Sequence, residues 1–402
     1  MLTHLSLTLN EKQPNGRLNV GIDMGKRRWV ANVLDTATGR HHSHNFTGTD
    51  CAGSARSLVE RLVKTGREVD VIYEAGRNGF TPARELTELG ARVTVLPVNK
   101  LEVVKAGKAA KTDRLDAHTL SERDARAAGF PRVWVPSVED ECRRRMIRER
   151  ERLQKEIKRN NNQILGILER WPIGYTGGHR SAATWRAQLR TWQRSGAVPK
   201  ELPESECSAI AAMVRELEVF EKNLAAWERR MEKELKNQRQ TAEESGTHCA
   251  VDILRQYKGI GEEMAMALCW IVGDFARFGN GKKFSSLLGL VPMPWDSGKM
   301  RKCQGISKAG PADLRSLMIE IAWLWVRYQP DSVITRKWLP RLAEKGRSRK
   351  KAIVAVARQL AVAILRLLNE GIEIEGAVKN LPLVPPPARL GSPMHQNGRS
   401  GD

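Results

Sequence analysis

The segment Leu18-Asn-Val-Gly-Ile-Asp23 decides the fold class of the first third of the chain. Its apolar residues alternate as in a buried β-strand, and the predicted strand closes on a carboxylate. Gly25 allows a tight turn, after which Trp29-Val-Ala-Asn-Val-Leu34 returns as a second strand. The segment therefore predicts a β-hairpin with an acidic residue at its open end.

Strands and helices alternate beyond this hairpin. Residues 42–46 are a candidate third strand, and residues 51–65 have the apolar spacing of a helix. Val69-Asp-Val-Ile-Tyr-Glu74 is a strand that again closes on an acid, and a helix around residues 82–89 leads to a further strand at residues 91–97. This order predicts a mixed α/β sheet, in which functional sites collect at the carboxyl ends of strands.

An acidic pair follows the last of these strands, in Lys111-Thr-Asp-Arg-Leu-Asp-Ala-His118. If a helix begins after Thr112, Asp113 and Asp116 lie on one face of its first turn. Two like charges this close repel each other unless a cation holds them. Taken alone, the pair is more simply a solvated acidic face, because the neighbouring basic residues temper its charge.

The acidic pair gains meaning from the two strands that end on acids. Asp23 and Glu74 each stand at a predicted strand end, and each alone is as well explained as a turn or cap residue. Together with Asp113 and Asp116 they can converge at one edge of the sheet. Four carboxylates can bind one or two Mg²⁺ (or Mn²⁺) ions, which polarise a phosphate and activate an attacking oxygen.

The charge of the chain points to a polyanionic partner. Its 402 residues allow two or three domains, and Lys plus Arg exceed Asp plus Glu by 67 to 46, a net charge of +21. The basic residues are spread along the chain, which favours nucleic acid over an anionic membrane. Six widely spaced cysteines without a CxxC pair argue against a zinc site and against a disulfide framework.

No segment is expected to act as a membrane anchor. The longest apolar run, residues 352–368, is interrupted by Arg358, Gln359 and Arg366. The first residues also lack the basic region and apolar core of a signal peptide. We therefore expect a cytoplasmic protein without membrane contact.

Two long helices are predicted in the middle of the chain. Residues 138–171 are charge-rich, with nine Lys/Arg against four Glu between residues 141 and 159. The second helix spans about residues 208–240 and carries an apolar stripe at heptad spacing. The stripe consists of Leu217, Phe220, Leu224, Trp227 and Met231. The two helices pair either as an antiparallel hairpin or across a subunit boundary, and the basic face of the first is either a solvated face or a phosphate track.

The last third of the chain contains a serine in a predicted turn. Asp296-Ser-Gly298 is expected to be flexible and exposed, with cations on both sides that can hold phosphates. A serine before glycine is usually only a turn residue, and no histidine stands near Ser297 in sequence. Further upstream, Leu254 to Gly261 resembles a helix-hairpin-helix phosphate contact, although a plain helical turn fits nearly as well.

Two groups of short motifs resemble one protein family. Three of them resemble the DEDD motifs of insertion-sequence transposases related to the Piv DNA invertase, namely Val20-Gly-Ile-Asp23-Met-Gly, Tyr73-Glu74-Ala-Gly and Lys111-Thr-Asp113-Arg-Leu-Asp116-Ala. The second group is similar to the C-terminal transposase domain of that family. It consists of Gly289-Leu-Val-Pro, Ser297-Gly, Gly305-Ile-Ser-Lys-Ala-Gly and Leu314-Arg315, with Pro311 where related chains often have Asn.

The resemblance implies a RuvC-like N-terminal domain with a ribonuclease H-type fold. It also implies that Asp23, Glu74, Asp113 and Asp116 are the metal ligands and that Ser297 attacks DNA. Guidance by a structured RNA from the element is a further implication of the family. The predicted nucleic-acid contacts are basic residues in and beside these regions: Lys111, Arg143, Arg144, Arg145, Arg301, Lys302, Lys308 and Arg315.

The predicted fold class is α/β plus all-α. Its organisation is a flexible arm (1–17), a RuvC-like DEDD catalytic domain (18–135), a helical coiled-coil spacer with an irregular insertion (136–245), a mostly helical C-terminal transposase domain (250–375) and a disordered tail (376–402). The predicted function is that of a transposase or site-specific recombinase that cuts and rejoins DNA as a homo-oligomer, dimer or tetramer. The alternatives are a RuvC-like junction nuclease that uses water and a non-catalytic nucleic-acid-binding scaffold.

Overall fold

A computed structural model of the chain describes residues 16–98, 113–171, 202–297 and 300–380, together with position 191. The side chains of residues 294–304 lie outside this description. The chain divides into two compact units, and the boundary between them in the sequence falls between Ser137 and Val138. Lys111 and Thr112, the predicted start of the acidic helix, lie outside the described residues.

The first unit is built on a five-stranded mixed sheet. Its strands are β1 (Leu18–Met24), β2 (Arg28–Asp35), β3 (Arg40–Thr47), β4 (Val69–Glu74) and β5 (Arg92–Leu96), and its helices are α1 (Cys51–Val63), α2 (Thr81–Glu88) and α3 (Asp113–Ser121). The strand order is β3-β2-β1-β4-β5. β2 pairs antiparallel with both β1 and β3, whereas β4 pairs parallel with both β1 and β5. The predicted α/β sheet and its opening hairpin are confirmed.

Alternation along the strands separates the two faces of this sheet. Val20 and Ile22 of β1, with Val71 and Tyr73 of β4, are buried in the core that includes α1 and α2. The intervening residues face the other way, where Ile72 of β4 packs in a smaller cluster that includes α3. The sheet is therefore covered by helices on both faces, as its near-continuous apolar strands require.

The second unit is mostly helical. Its helices are α4 (Val138–Leu168), α5 (Glu204–Glu244), α6 (Ala250–Arg255), α7 (Glu262–Val272), α8 (Gly281–Leu287), α9 (Ala312–Tyr328), α10 (Val333–Ala343) and α11 (Arg347–Glu370). A two-stranded antiparallel hairpin, β6 (Pro292–Ser297) and β7 (Met300–Ile306), stands between α8 and α9. Trp270 and Trp325 are the largest side chains in the core of this unit, and both are almost fully buried.

The two long helices pair antiparallel within one chain. Along α4 from start to end, Arg143 bonds Glu234, Arg150 pairs with Glu228 and Asn160 bonds Glu216 on α5. Of the predicted stripe on α5, Leu217 and Met231 are buried, whereas Phe220, Leu224 and Trp227 are only partly buried. Met231 joins the core of the unit's other helices. The hairpin alternative thus describes the chain, and the coiled coil stays a prediction.

Helix α11 departs from the expectation that its charged and polar residues make it too polar to span a membrane. By length and composition it is apolar enough to cross a membrane, with a mean hydropathy of 1.7 over eighteen residues, despite the interruptions at Arg358, Gln359 and Arg366. More than half of that window, 56%, is buried inside the structure, and Leu360 and Ile364 are fully enclosed. A central core helix satisfies the same apolar criteria, because it too is surrounded by apolar side chains.

Two other segments are bound into the second unit. Lys258 and Ile260, in the predicted helix-hairpin-helix turn, donate their backbone N–H groups to Val378 and Tyr257 carbonyls, so these groups are not directed at a phosphate. Val378, which the sequence assigns to the tail, donates its own N–H to the Gln329 side chain. Residues 376–380 therefore make ordered contacts with the helical unit.

Candidate active site

The strand-end acids Asp23 and Glu74 lie side by side. β1 and β4 are parallel neighbours, and their last registered pair is Ile22 with Tyr73. Each acid is the next residue on its strand, and each is partly buried. Because neighbouring strands are about 4.8 Å apart, the two backbones present their carboxylates from adjacent positions at the carboxyl end of the sheet.

Both acids belong to the face that α3 covers. Gly21 and Asp23 point to the same side of β1, and α3 crosses Gly21 so closely that a Cβ there would stand 2.2 Å from the Ala117 carbonyl oxygen and 2.5 Å from the Ser121 nitrogen. On β4, Ile72 packs with Leu120 of α3. Glu74, two residues after Ile72, is therefore on the face of the sheet that carries α3.

The direction of α3 places its first turn at the same end. Just after the helix, Arg126 bonds Asp70 at the start of β4 with distances of 2.7 and 3.1 Å, and Asp124 pairs with Arg17 at the start of β1 at 3.6 Å. The end of α3 thus lies near the strand starts, and its beginning near the strand ends. Asp113 is about 6 Å along the helix from Ala117, and Asp23 is about 6.6 Å along its strand from Gly21.

This geometry brings the four predicted acids to one end of one face of the sheet. Asp113 is exposed, whereas Asp116 is partly buried like the two strand-end acids. A donor set made of carboxylates alone suits hard divalent cations such as Mg²⁺ and Mn²⁺, which take oxygen ligands and tolerate bound water. The residues present therefore fit a divalent metal ion.

A glycine substitution tests whether stability and DNA cleavage depend on the close approach of α3 to β1. We expect Gly21→Ala to destabilise the chain by about 1–3 kcal/mol, because the added methyl group forces α3 away from β1. The opposite sign is expected at Gly166, an exposed glycine of α4 with open space around its Cβ position. There, alanine should stabilise by about 0.5–1 kcal/mol through helix propensity.

Urea unfolding of both variants checks these signs, and metal-dependent DNA cleavage should fall only in Gly21→Ala. If Gly21→Ala unfolds at the wild-type urea concentration and keeps full cleavage, then α3 does not need this close crossing.

Ser297 lies at the end of a strand, and the predicted flexible turn is wrong at this position. It is the last residue of β6 and is registered opposite Met300 of β7. The paired backbone of the hairpin sets the position of Ser297 within the second unit. The side chain of Ser297 and those of Arg301 and Lys302 lie outside the described residues.

The segment after β7 is held tightly. Gly289 and Gly310 both have positive φ angles, and a Cβ on Gly310 would stand 1.9 Å from the Leu287 carbonyl oxygen. Lys308 also has a positive φ of 51°, which is unusual for a residue with a side chain. The Arg315 guanidinium donates to the Lys308 carbonyl at 3.1 Å. Arg315, a predicted phosphate contact, thus also holds this segment in place.

The three predicted contacts on α4 differ in their surroundings. Arg143 is engaged by Asp140 and Glu234, and Arg144 donates to the carbonyls of Ile271 and Val272 at the end of α7. Burial lowers the pKa of Arg144. Arg145 is exposed. A phosphate would therefore compete with protein partners at the first two residues, and their assignment stays a prediction.

A basic groove lies beside the hairpin. Its volume is about 920 Å³, and it runs between the base of β6 and β7, where Pro292 is registered opposite Ile306, and helices α10 and α11. Apolar side chains form its floor together with Trp338. Its basic residues are Arg341, Lys350, Lys351 and Arg358. Within the described part of the chain, none of these four forms an ion pair.

Comparison with known proteins gives two family-model matches. A model described as the transposase IS116/IS110/IS902 family matches residues 251–335, which include α7, α8, the hairpin and all of α9. A DEDD-type model described as a transposase matches residues 20–171, which include the four acids. The two matches thus cover both sequence regions that carry candidate site residues.

Individual proteins are similar over most of the chain. The putative transposase y4rJ of Sinorhizobium fredii is 33% identical over 389 residues, which cover 91% of this chain and 96% of the relative. A probable family 20 transposase of Pseudomonas aeruginosa is 28% identical over 87% of this chain and 96% of its own length. A pilin gene-inverting protein of Moraxella lacunata is 30% identical over 111 residues, which cover 27% of this chain and 33% of that protein.

Proposed function

Since this chain belongs to the transposase IS116/IS110/IS902 family, we propose that its four convergent carboxylates hold the divalent metal ion that DEDD-type transposases use on DNA. The proposed ligands are Asp23, Glu74, Asp113 and Asp116. The observation that supports this proposal is the close crossing of α3 over Gly21, because it puts the first turn of α3 at the end of the sheet where β1 and β4 end on acids. The β3-β2-β1-β4-β5 sheet is accordingly proposed to be RuvC-like, with a ribonuclease H-type fold.

The proposed ion is Mg²⁺ or Mn²⁺. When bound, such an ion supplies a Lewis acid that stabilises negative charge on phosphate and favours the deprotonated form of an attacking oxygen. The sheet fixes Asp23 and Glu74 through their strand backbones, and α3 fixes the other two acids through its contact with β1. Release of labelled DNA ends that requires both a divalent ion and these acids tests the proposal.

We propose Ser297 as the nucleophile. Its Oγ would attack a DNA phosphorus atom and form a phosphoserine ester as the bond to the leaving deoxyribose oxygen breaks and that oxygen takes up a proton. Attack by a second DNA hydroxyl then reverses these steps, releases the serine and joins the new strand. The proposal is supported by the family match over residues 251–335 and by the position of Ser297 at the end of β6.

We propose that the basic groove holds the DNA strand next to the cut site. Ser297 is five residues from Pro292, so the groove begins about 17 Å away along the hairpin. This distance corresponds to about five nucleotides at the rise of a duplex strand. Four cations can neutralise phosphates, while Trp338 and the apolar floor offer a surface for bases.

Charge removal in the groove should weaken DNA binding more than the same removal elsewhere. The triple change Lys350→Gln, Lys351→Gln and Arg358→Gln should lower the DNA affinity at least about tenfold. It should also reduce the slope of log K against log salt by about 2 to 3, because fewer counterions are released from DNA when three phosphate contacts are missing. Filter binding at several salt concentrations measures both quantities.

The matched control removes three charges from the exposed surface of α5. Lys222, Lys233 and Lys236 are exposed, and their replacement by Gln changes the net charge equally. The control should change the salt slope far less than the groove variant. Equal slopes in the two triple variants would mean that DNA follows the overall charge and not this groove.

The family resemblance and the charge surplus also support a guide RNA as a partner. We propose a homo-oligomer, dimer or tetramer, because exchange of two DNA strands requires more than one cutting centre. The division into arm, RuvC-like domain, coiled-coil spacer, C-terminal transposase domain and tail is likewise proposed. Light scattering with and without element RNA measures the assembly.

A further inference from the structure

A second cluster of possible metal ligands lies on the first unit, and we call it the His41 cluster. It consists of His41 on β3, His118 on α3 and Glu122 just after α3. One possible ligand atom from each of these residues lies within 4.8 Å of the others. The cluster contains two imidazoles, whereas the proposed catalytic set contains carboxylates alone.

A buried amide fixes the orientation of the His41 ring. Asn32 is only 1% exposed, donates its Nδ2 to Ser43 Oγ at 3.0 Å and accepts from Ser121 Oγ at 2.9 Å. In this orientation of the amide, its Oδ1 lies 2.8 Å from His41 Nδ1. With the amide oxygen on this side, His41 Nδ1 carries the proton, because two acceptors cannot bond each other.

This arrangement leaves His41 Nε2 with its lone pair. Metal-binding histidines typically donate one ring N–H to a fixed acceptor, which selects the tautomer and orients the other nitrogen. The acceptor here is itself held on two sides by Ser43 and Ser121. Asn32 therefore has the role of an outer positioning residue for a ligand.

His118 and Glu122 bring two further possible ligand atoms close to His41. The His41 and His118 rings stack with their centres 4.1 Å apart, and His118 Nδ1 lies 3.7 Å from Glu122 Oε2. That separation is too long for a hydrogen bond. It is close to the roughly 3.4 Å between two atoms that each bind one ion at about 2.1 Å with tetrahedral geometry. Because the lone pair of an imidazole nitrogen lies in the ring plane, one of the two rings must turn about its Cβ–Cγ bond when both bind one ion.

We propose that His41, His118 and Glu122 bind a transition-metal ion of the zinc type, at a site separate from the four carboxylates. Two imidazoles with one carboxylate select zinc, cobalt or nickel over Mg²⁺, and three protein ligands leave a position for water. The cysteine spacing that argues against zinc in the sequence does not bear on ligands of this kind. The ion ties α3 to β3, and thus fastens the helix that carries Asp113 and Asp116.

Titration of the full-length protein with Co²⁺, followed by displacement with Zn²⁺, tests this site. Tetrahedral Co²⁺ with nitrogen ligands absorbs visible light strongly, whereas octahedral Co²⁺ on carboxylates absorbs weakly. We expect a strong band at one equivalent of Co²⁺, its loss on addition of Zn²⁺, and a higher melting temperature in the presence of Zn²⁺. The ion-binding readout does not require DNA or cleavage.

Matched variants separate the His41 cluster from its surroundings. His118→Ala and Glu122→Gln should each weaken Zn²⁺ binding at least tenfold. Glu122→Gln keeps the shape of the side chain, so it tests the site even if His118→Ala loosens α3. His42→Ala is the control, because His42 is exposed and points to the other face of β3. It should bind Zn²⁺ like the wild type.

The Asp23→Asn variant separates this proposal from the proposed catalytic site. The strong Co²⁺ band should persist in Asp23→Asn protein even when DNA cleavage is lost. Loss of the band in Asp23→Asn, or its retention in both His118→Ala and Glu122→Gln, would overturn the proposed zinc-type site. Failure of cleavage alone would concern only the four carboxylates.

Discussion

Asp23→Asn should reduce metal-dependent DNA cleavage by on the order of a thousandfold or more, while DNA binding stays close to that of the wild type. The substitution removes one negative charge from the four-acid site and keeps the size of the side chain. Asp23 stands beside Glu74 on parallel strands, so no other residue of β1 can replace its carboxylate at that edge. Cleavage of labelled element ends in Mg²⁺ and in Mn²⁺ measures the effect.

The same loss is expected for Asp116→Asn, because α3 delivers its acids to the same end of the sheet. Glu88→Gln is the matched control in the first unit, since Glu88 is an exposed acid at the far end of α2. It should cleave normally. Wild-type cleavage by both Asp23→Asn and Asp116→Asn would end the proposal that these acids hold the metal ion.

The sheet of the first unit was predictable because its strands repeat with a simple period. The apolar alternation in Leu18–Asp23 and the second acid-ended strand reflect burial on both faces, which constrains nearly every residue. The contact between α3 and Gly21, which assembles the candidate site, does not follow from any such period. Nothing near Gly21 in sequence shows that it must lack a side chain because α3, almost a hundred residues later, crosses it.

The β6–β7 hairpin escaped prediction because its sequence carries poor strand residues. Pro292 and Pro294 cannot donate to a ladder, and proline normally argues against a central strand. A two-stranded hairpin has only edges, so proline N positions can face away from the partner strand. The predicted turn accordingly included Asp296 and Ser297, which belong to β6.

The charge of the chain predicted a partner but not the residues that meet it. Arg143 and Arg144 belong to a basic run, yet one pairs with acids and the other donates to carbonyls at the end of α7. Four other basic residues, between positions 341 and 358, instead line the groove beside the hairpin. Composition gives only the net charge of the chain, whereas the fold determines which charged residues already have protein partners.

Ser297→Ala should eliminate the covalent protein–DNA adduct and the joining of strands, with DNA binding retained. The change removes one hydroxyl group at the end of β6 and leaves the backbone pairing with Met300 in place. Without a serine oxygen no phosphoserine ester can form, so adduct formation should fall below detection. Denaturing gel electrophoresis of labelled DNA after incubation with Mg²⁺ separates adducts from free nicked ends.

Two other serines show whether Ser297 is the right residue. Ser286 is exposed on α8, and Ser286→Ala should form the adduct normally. Ser307 Oγ is buried and has no hydrogen-bond partner among the described residues, so Ser307→Ala should fold and also form the adduct. An adduct in Ser297→Ala but not in Ser307→Ala would identify Ser307 as the nucleophile. Free nicked ends from both the wild type and Ser297→Ala would instead favour a water nuclease, because cleavage would then need no serine oxygen.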